Sequence, residues 1–129
     1  MEKVMINEYQ KTFEKSKKLA EQGDIDAQCN IGYMYFYGEG VEQNYKEAYN
    51  WFKKAADQGN SGAEYALGLM YQFGEGVEQD YKESYNWFKK AAKHGDSCSQ
   101  ISLAWMTING LGVRKNDKDA FNWFKKAAE

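Results

Sequence analysis

Cysteine and histidine are scarce in this chain. Its 129 residues hold two cysteines, Cys29 and Cys98, and one histidine, His94. Two thiols 69 positions apart supply neither a disulfide framework nor the four ligands of a zinc site, so both are expected to be free. Long apolar runs are also missing. No stretch approaches the 18 residues of a membrane span, and Met1 to Ala20 lacks the unbroken hydrophobic segment of a signal peptide, so a soluble, cytoplasmic protein is expected. Charge of one sign does not dominate either: 17 basic and 19 acidic side chains, spread over the whole length, leave a formal charge of −2. Without a basic patch to neutralise phosphates, nucleic acid is a poor partner. What is abundant is apolar and aromatic material, 43% and 16%, ample for one folded domain with a core.

That material is periodic. Asp24 to Gly59 returns as Asn60 to Gly95 with 22 of 36 positions identical, and a third copy begins at Asp96 and runs to Glu129. Trp51, Trp87 and Trp123 keep the interval, as do Gly38, Gly74 and Gly110. A fixed period of this length marks a repeat array, in which a unit too small to bury its own apolar face stacks on copies of itself. The expected domain is a single array: a capping helix over 1–23, then repeats 24–59, 60–95 and 96–129.

Within each repeat two helices are predicted. Helix B spans roughly 45–58, 81–94 and 117–129. Asn44 with Glu47, Asp80 with Glu83, and Asn116 with Asp119 form capping-box-like starts, in which the acid can reach back to the cap. Tyr45, Ala48, Tyr49, Phe52, Ala55 and Ala56 follow at helical spacing, and Gly59 supplies a left-handed stop. Helix A, from Ala27 to Tyr37 in the first copy, aligns Ala27, Ile31, Met34 and Tyr35 on one face, with Gly32 and Gly68 allowing close approach of the partner helix. Between the helices runs Gly-Glu-Gly-Val, Gly38 to Val41 and Gly74 to Val77, then Gly-Leu-Gly-Val from Gly110. It lacks the following Lys-Ser/Thr of a phosphate-binding loop, and its valine is expected to plug the gap between the helices. Before Asp24, Tyr9, Phe13 and Ala20 align with a helix B in which Lys15 and Ser16 replace the Trp-Phe pair, as suits a terminal cap facing water. At the other end, Phe124 and Ala127 have no following helix to cover them, which makes the last helix a weak point or a self-association surface.

The pattern Ala-x3-(Ile/Leu)-Gly-x2-Tyr-x2-Gly-x-Gly-Val followed by Trp-Phe-Lys-Lys-Ala-Ala is carried by Ala27, Ile31, Gly32, Tyr35, Gly38, Gly40, Val41 and Trp51 to Ala56, and again thirty-six residues on. It resembles the Sel1-like repeat, a relative of the tetratricopeptide repeat. The resemblance implies an all-α fold, a right-handed α-solenoid of antiparallel helix pairs with about seven helices, whose A helices line a concave surface commonly used to hold another protein. A cysteine-rich bacterial subgroup of that family staples each repeat with a disulfide, and some members have been associated with β-lactam binding or hydrolysis. This chain has no paired cysteines within a repeat and departs from that pattern.

Comparing the first two repeats separates packing from variable surface. Ten of their fourteen differences fall in helix A or its start, at 24, 25, 26, 28, 29, 30, 31, 33, 36 and 37, while the glycine loop is unchanged. An array must hold its packing columns fixed, whereas a surface shaped for an asymmetric ligand is free to vary. The variable face opposite Ile31 nominates Cys29, Tyr33, Phe36 and Tyr37 in the first repeat as protein-binding residues. Tyr65, Leu69, Gln72 and Phe73 follow in the second, and Ile101, Trp105, Ile108 and Asn109 in the third. The competing explanation is sideways packing of neighbouring A helices. Glu39, Glu42, Glu75 and Glu78 form a solvated acidic edge that becomes Leu111, Arg114 and Lys115 in the third copy, and the paired lysines late in each helix B suit the helix dipole.

His94 lies four residues before Cys98, but a Cys–His nucleophile also needs an orienting group and an oxyanion site, and neither is evident. No catalytic residue, metal site or cofactor is therefore assigned. The expected function is a non-catalytic protein-interaction module, an adaptor or regulator. The alternatives are an inhibitor or immunity protein that neutralises a toxin or enzyme, as small Sel1-like proteins do in bacteria, and a Cys-dependent or β-lactam hydrolase.

Overall fold

The computed structural model describes residues 2–129, with side chains from Glu8 onward. The described residues form seven helices and no strand: α1 (Glu2–Glu21), α2 (Ile25–Tyr37), α3 (Tyr45–Ala56), α4 (Ser61–Phe73), α5 (Tyr81–Lys93), α6 (Ser97–Asn109) and α7 (Asp117–Ala128). One B-like helix thus precedes three A–B pairs, as the 36-residue spacing predicts. The chain groups into two compact units, residues up to Ala63 and Glu64–Glu129, with the boundary in the first turn of α4.

Helix ends follow from side-chain caps, with three departures from expectation. The A helices start earlier than the apolar periodicity indicates. Asp24 accepts from the Ala27 amide at 2.9 Å, Asn60 from Ala63 at 2.8 Å and Asp96 from Ser99 at 2.8 Å, and each helix begins two residues ahead of that small buried residue. The B helices are capped as expected, Asn44 accepting from Glu47 N and Asn116 from Asp119 N. The return bond of a capping box is replaced, because the cap's own amide is engaged elsewhere: Asn44 N donates to Tyr35 O, Asp80 N to Tyr71 O and Asn116 N to Thr107 O. Each of these bonds closes an A–B hairpin from backbone alone. The B helices α3 and α5 also stop short of 58 and 94. Gln58 N bonds Ala55 O and Gly59 N bonds Ala56 O, a tightened last turn before the left-handed Gly59.

In the first unit Phe13, Ala20, Ala27, Ile31 and Met34 form the core, with Tyr35, Val41 and Trp51 packed against it. The valine of the glycine loop fills the gap assigned to it. Gly32 is required by contact, since a Cβ there would lie 2.6 Å from the Phe52 ring, which is itself buried. Gly40 is required twice over: its φ is +74°, and a Cβ would collide with the backbone carbonyl of Tyr9 in α1. The second glycine of the loop therefore lets it sit against the backbone of the preceding B-type helix.

The second unit repeats these contacts. Phe88, Ala92, Leu103 and Met106 are its buried cluster, with Tyr81, Tyr85, Leu111 and Trp123 around them. Gly68 lies under the Phe88 ring, Ser84 Oγ donates to Gly68 O at 2.7 Å, and Gly112 meets Tyr81 O as Gly40 meets Tyr9 O. The late lysines do more than complement a dipole. Lys54, Lys90 and Lys126 stand over Trp51, Trp87 and Trp123 at 5.2, 4.4 and 5.6 Å, each one turn on from its tryptophan.

Candidate functional site

The nominated residues divide by what surrounds them. On α2, Cys29 is buried, with its sulfur 3.7 Å from where a Cβ on Gly62 would stand, so it faces the first turn of α4. Burial, with the Asp26 carboxylate adding to it, pushes its thiol up to about 11, the reverse of an activated nucleophile. Tyr33 is half-buried, packs edge-on against Phe52 at 4.8 Å and donates from its hydroxyl to Gly62 O at 3.4 Å. In the first unit, these two side chains pack against the start of α4.

Beyond them the face opens. Tyr37 lies parallel to Tyr33, with ring centroids 6.4 Å apart and planes 8° apart, and meets Phe36 edge-on at 5.0 Å. Phe36 in turn touches Tyr45 at 5.0 Å, and Gln43 Nε2 donates to Phe36 O at 2.8 Å, fixing the end of the helix. Tyr37 is 62% exposed. The result in the first unit is a ladder of aromatic rings, anchored at Phe52 and reaching water at Tyr37.

In the second unit Tyr65 and Leu69 pack against the Phe88 cluster, Gln72 is half-buried, and Phe73 is as exposed as Tyr37. Gln79 Nε2 donates to Gln72 O at 2.8 Å and repeats the Gln43 contact. On α6, Ile101, Trp105 and Ile108 are all exposed, Trp105 by 47%, and Asn109 Nδ2 donates to Trp105 O at 2.8 Å. Five of the nine large apolar side chains exposed among the described residues therefore belong to the nominated set: Tyr37, Phe73, Ile101, Trp105 and Ile108.

Sequence reasoning missed one polar arrangement. His94 Nδ1 lies 2.8 Å from Glu64 Oε1, and Glu64 is only 3% exposed. In the first repeat the same two columns hold Gln58 and Gln28, whose side chains bond at 2.8 Å, while Gln28 Nε2 donates onward to Ala20 O. Each clasp ties the start of an A helix to the end of its B helix. The signal was present in the sequence, because positions 28 and 58 change together between copies, from two glutamines to an acid and an imidazole. His94 is half exposed, as a helix-end histidine should be, yet it is engaged.

Three consecutive stretches, 25–60, 61–96 and 99–129, match the Sel1 repeat. The chain belongs to the Sel1 repeat family. Among solved structures it is similar to the Sel1-like c5321, a protective antigen of uropathogenic Escherichia coli, with 38% identity and a TM-score of 0.91 over 93% of this chain and 26% of that one. It is also similar to a Sel1 repeat protein from Oxalobacter formigenes, with 35% identity and a TM-score of 0.88 over 92% of this chain and 49% of that one. The chain thus spans about a quarter and about half of these two relatives. Cysteine rich protein B of Helicobacter pylori shares the fold at 22% identity, with a TM-score of 0.72 over 90% of this chain and 88% of that one. No curated protein sequence matches it significantly. The fold class is therefore the all-α Sel1 solenoid, and Sel1 repeat proteins generally mediate protein–protein interaction.

Proposed function

We propose that this Sel1 chain is a non-catalytic interaction module, an adaptor or regulator, that holds a protein or peptide on the variable face of its A helices and works in the cytoplasm as one repeat domain. One observation carries the reading. Ten of the fourteen differences between the first two repeats fall in helix A or its start, and columns among them hold Tyr37, Phe73 and Trp105 in contact with water. Aromatic side chains of this kind supply wide, rigid contact area at small entropic cost. The buried thiol of Cys29, pushed up by burial, supports a non-catalytic assignment for that group.

The test is affinity capture from the native host with the intact chain, followed by titration of the captured partner against Tyr37→Ala, Phe73→Ala and Trp105→Ala. Truncating a true anchor costs about 2 kcal/mol or more of binding, so at least one variant should weaken affinity by tenfold or more. Because all three side chains are exposed, the melting temperature should barely move. Unchanged affinity in all three variants, with binding lost on changing Glu39 and Glu75 alone, would place the partner on the loop edge instead. Self-association through α7 belongs to the same reading and rests on the exposure of Phe121 and Phe124. Sedimentation across a concentration series should show it, and a concentration-independent monomer would rule it out.

A further inference from the structure

The charges that look evenly spread along the chain are sorted by the fold. Helices α2, α4 and α6 contain no lysine or arginine, while α1, α3, α5 and α7 each carry several. Between Lys18 and Lys46 every charged side chain is acidic, and the same holds between Lys54 and Lys82. In the first unit this acid lies before and after the helix that carries the aromatic ladder. Asp26 stands on the same helical face as Tyr33 and Tyr37, seven and eleven positions ahead, and Glu39 follows immediately after the left-handed Gly38 that caps the helix beside Tyr37. Asp26, Glu39 and Glu42 are all exposed, and Asp26 accepts from the Asn60 amide at 3.3 Å.

From this arrangement we infer that the ligand of the α2 face is a cationic peptide segment with apolar side chains between its charges. The inference rests on the reading of the A helices as the binding surface and adds the chemistry of the partner. Three features converge. Carboxylates at the first turn of α2 and in the loop after its last residue attract cations and repel acidic segments, which sets partner choice more than raw affinity. The parallel ring faces of Tyr33 and Tyr37 accept a guanidinium or ammonium as readily as an aliphatic side chain. No basic side chain on α2 or its flanking loops competes for the acids. From Asp26 to Glu39 the helix rises by about 20 Å, the reach of roughly six extended residues, so the cations of an extended ligand should stand about six positions apart.

The test uses the full chain and two fluorescein-labelled octapeptides. One has Lys-Lys at each end and Leu-Ser-Leu-Ser between, and its counterpart has Glu-Glu at each end. By anisotropy the lysine peptide should bind at least about tenfold more tightly, with affinity falling as salt rises. Asp26→Asn combined with Glu39→Gln and Glu42→Gln should remove that preference without lowering the melting temperature. The same change in net charge made at Glu14, Glu21 and Asp57 should leave it intact. Tyr37→Ala should weaken the lysine peptide as well. Equal binding of the two peptides, both weakened by Tyr37→Ala, would overturn the charge assignment while the A-helix surface stands. Lysine-peptide binding indifferent to Tyr37→Ala would remove the surface itself. Absence of lysine-peptide binding, or loss of preference in the remote triple variant too, also overturns the inference.

Discussion

Phe88→Ala is expected to lower the stability of the chain by about 3–5 kcal/mol, the range for emptying a fully buried ring site. The same truncation one repeat later, Phe124→Ala, is expected to cost about 1 kcal/mol or less, because that ring is 41% exposed where Phe88 is fully buried. The two residues occupy the same column and follow the same tryptophan, so intrinsic helix preference cancels and burial alone separates them. The helix A glycine beneath the ring differs in step: Gly68 lies against Phe88, with a Cβ there only 2.5 Å from the ring, whereas the third repeat has Ala104 at that place. Denaturant midpoints of the two variants measure the contrast. Equal losses would mean that Phe124 is covered in solution.

His94→Ala is expected to be destabilising by about 1–3 kcal/mol, out of proportion to a half-exposed side chain, because it takes the imidazole away from a buried carboxylate. Glu64→Gln combined with His94→Gln should recover most of that loss, since it rebuilds the amide clasp that Gln28 and Gln58 make in the first repeat. The double variant's thermal midpoint is the informative measurement. If the pair of glutamines is no better than His94→Ala, the two clasps are not interchangeable and the correspondence between repeats fails at this point.

Much of the fold is legible in the residues because periodicity reports packing. Gly32 and Phe52 recur together since one fits under the other, and the loop glycines recur since a backbone carbonyl occupies the space a Cβ would need. The helix starts were less legible. Asp24 and Asn60 fall among the positions that differ between copies, and only their shared ability to accept a hydrogen bond reveals a common role. The candidate face was legible as a set and not residue by residue. A helical wheel places Cys29 beside Tyr33 and Tyr37, but it holds no information about the next repeat, whose Gly62 takes up the Cys29 side of the helix and leaves Tyr37 to water. The partnership of Glu64 with His94 spans 30 positions, beyond any local pattern, and is visible only when whole repeats are compared column by column.

The hydrogen bonds that join one repeat to the next, or close a repeat on itself, have a kinetic consequence. Tyr33 to Gly62 spans 29 residues, Gln58 to Gln28 spans 30, and Asn60 to Asp26 spans 34. Each repeat can therefore fold after closing a loop no longer than itself, and loop-closure entropy grows only slowly over that range. A chain with such short-range topology belongs with fast folders, and folding can begin in whichever repeat first captures its phenylalanine.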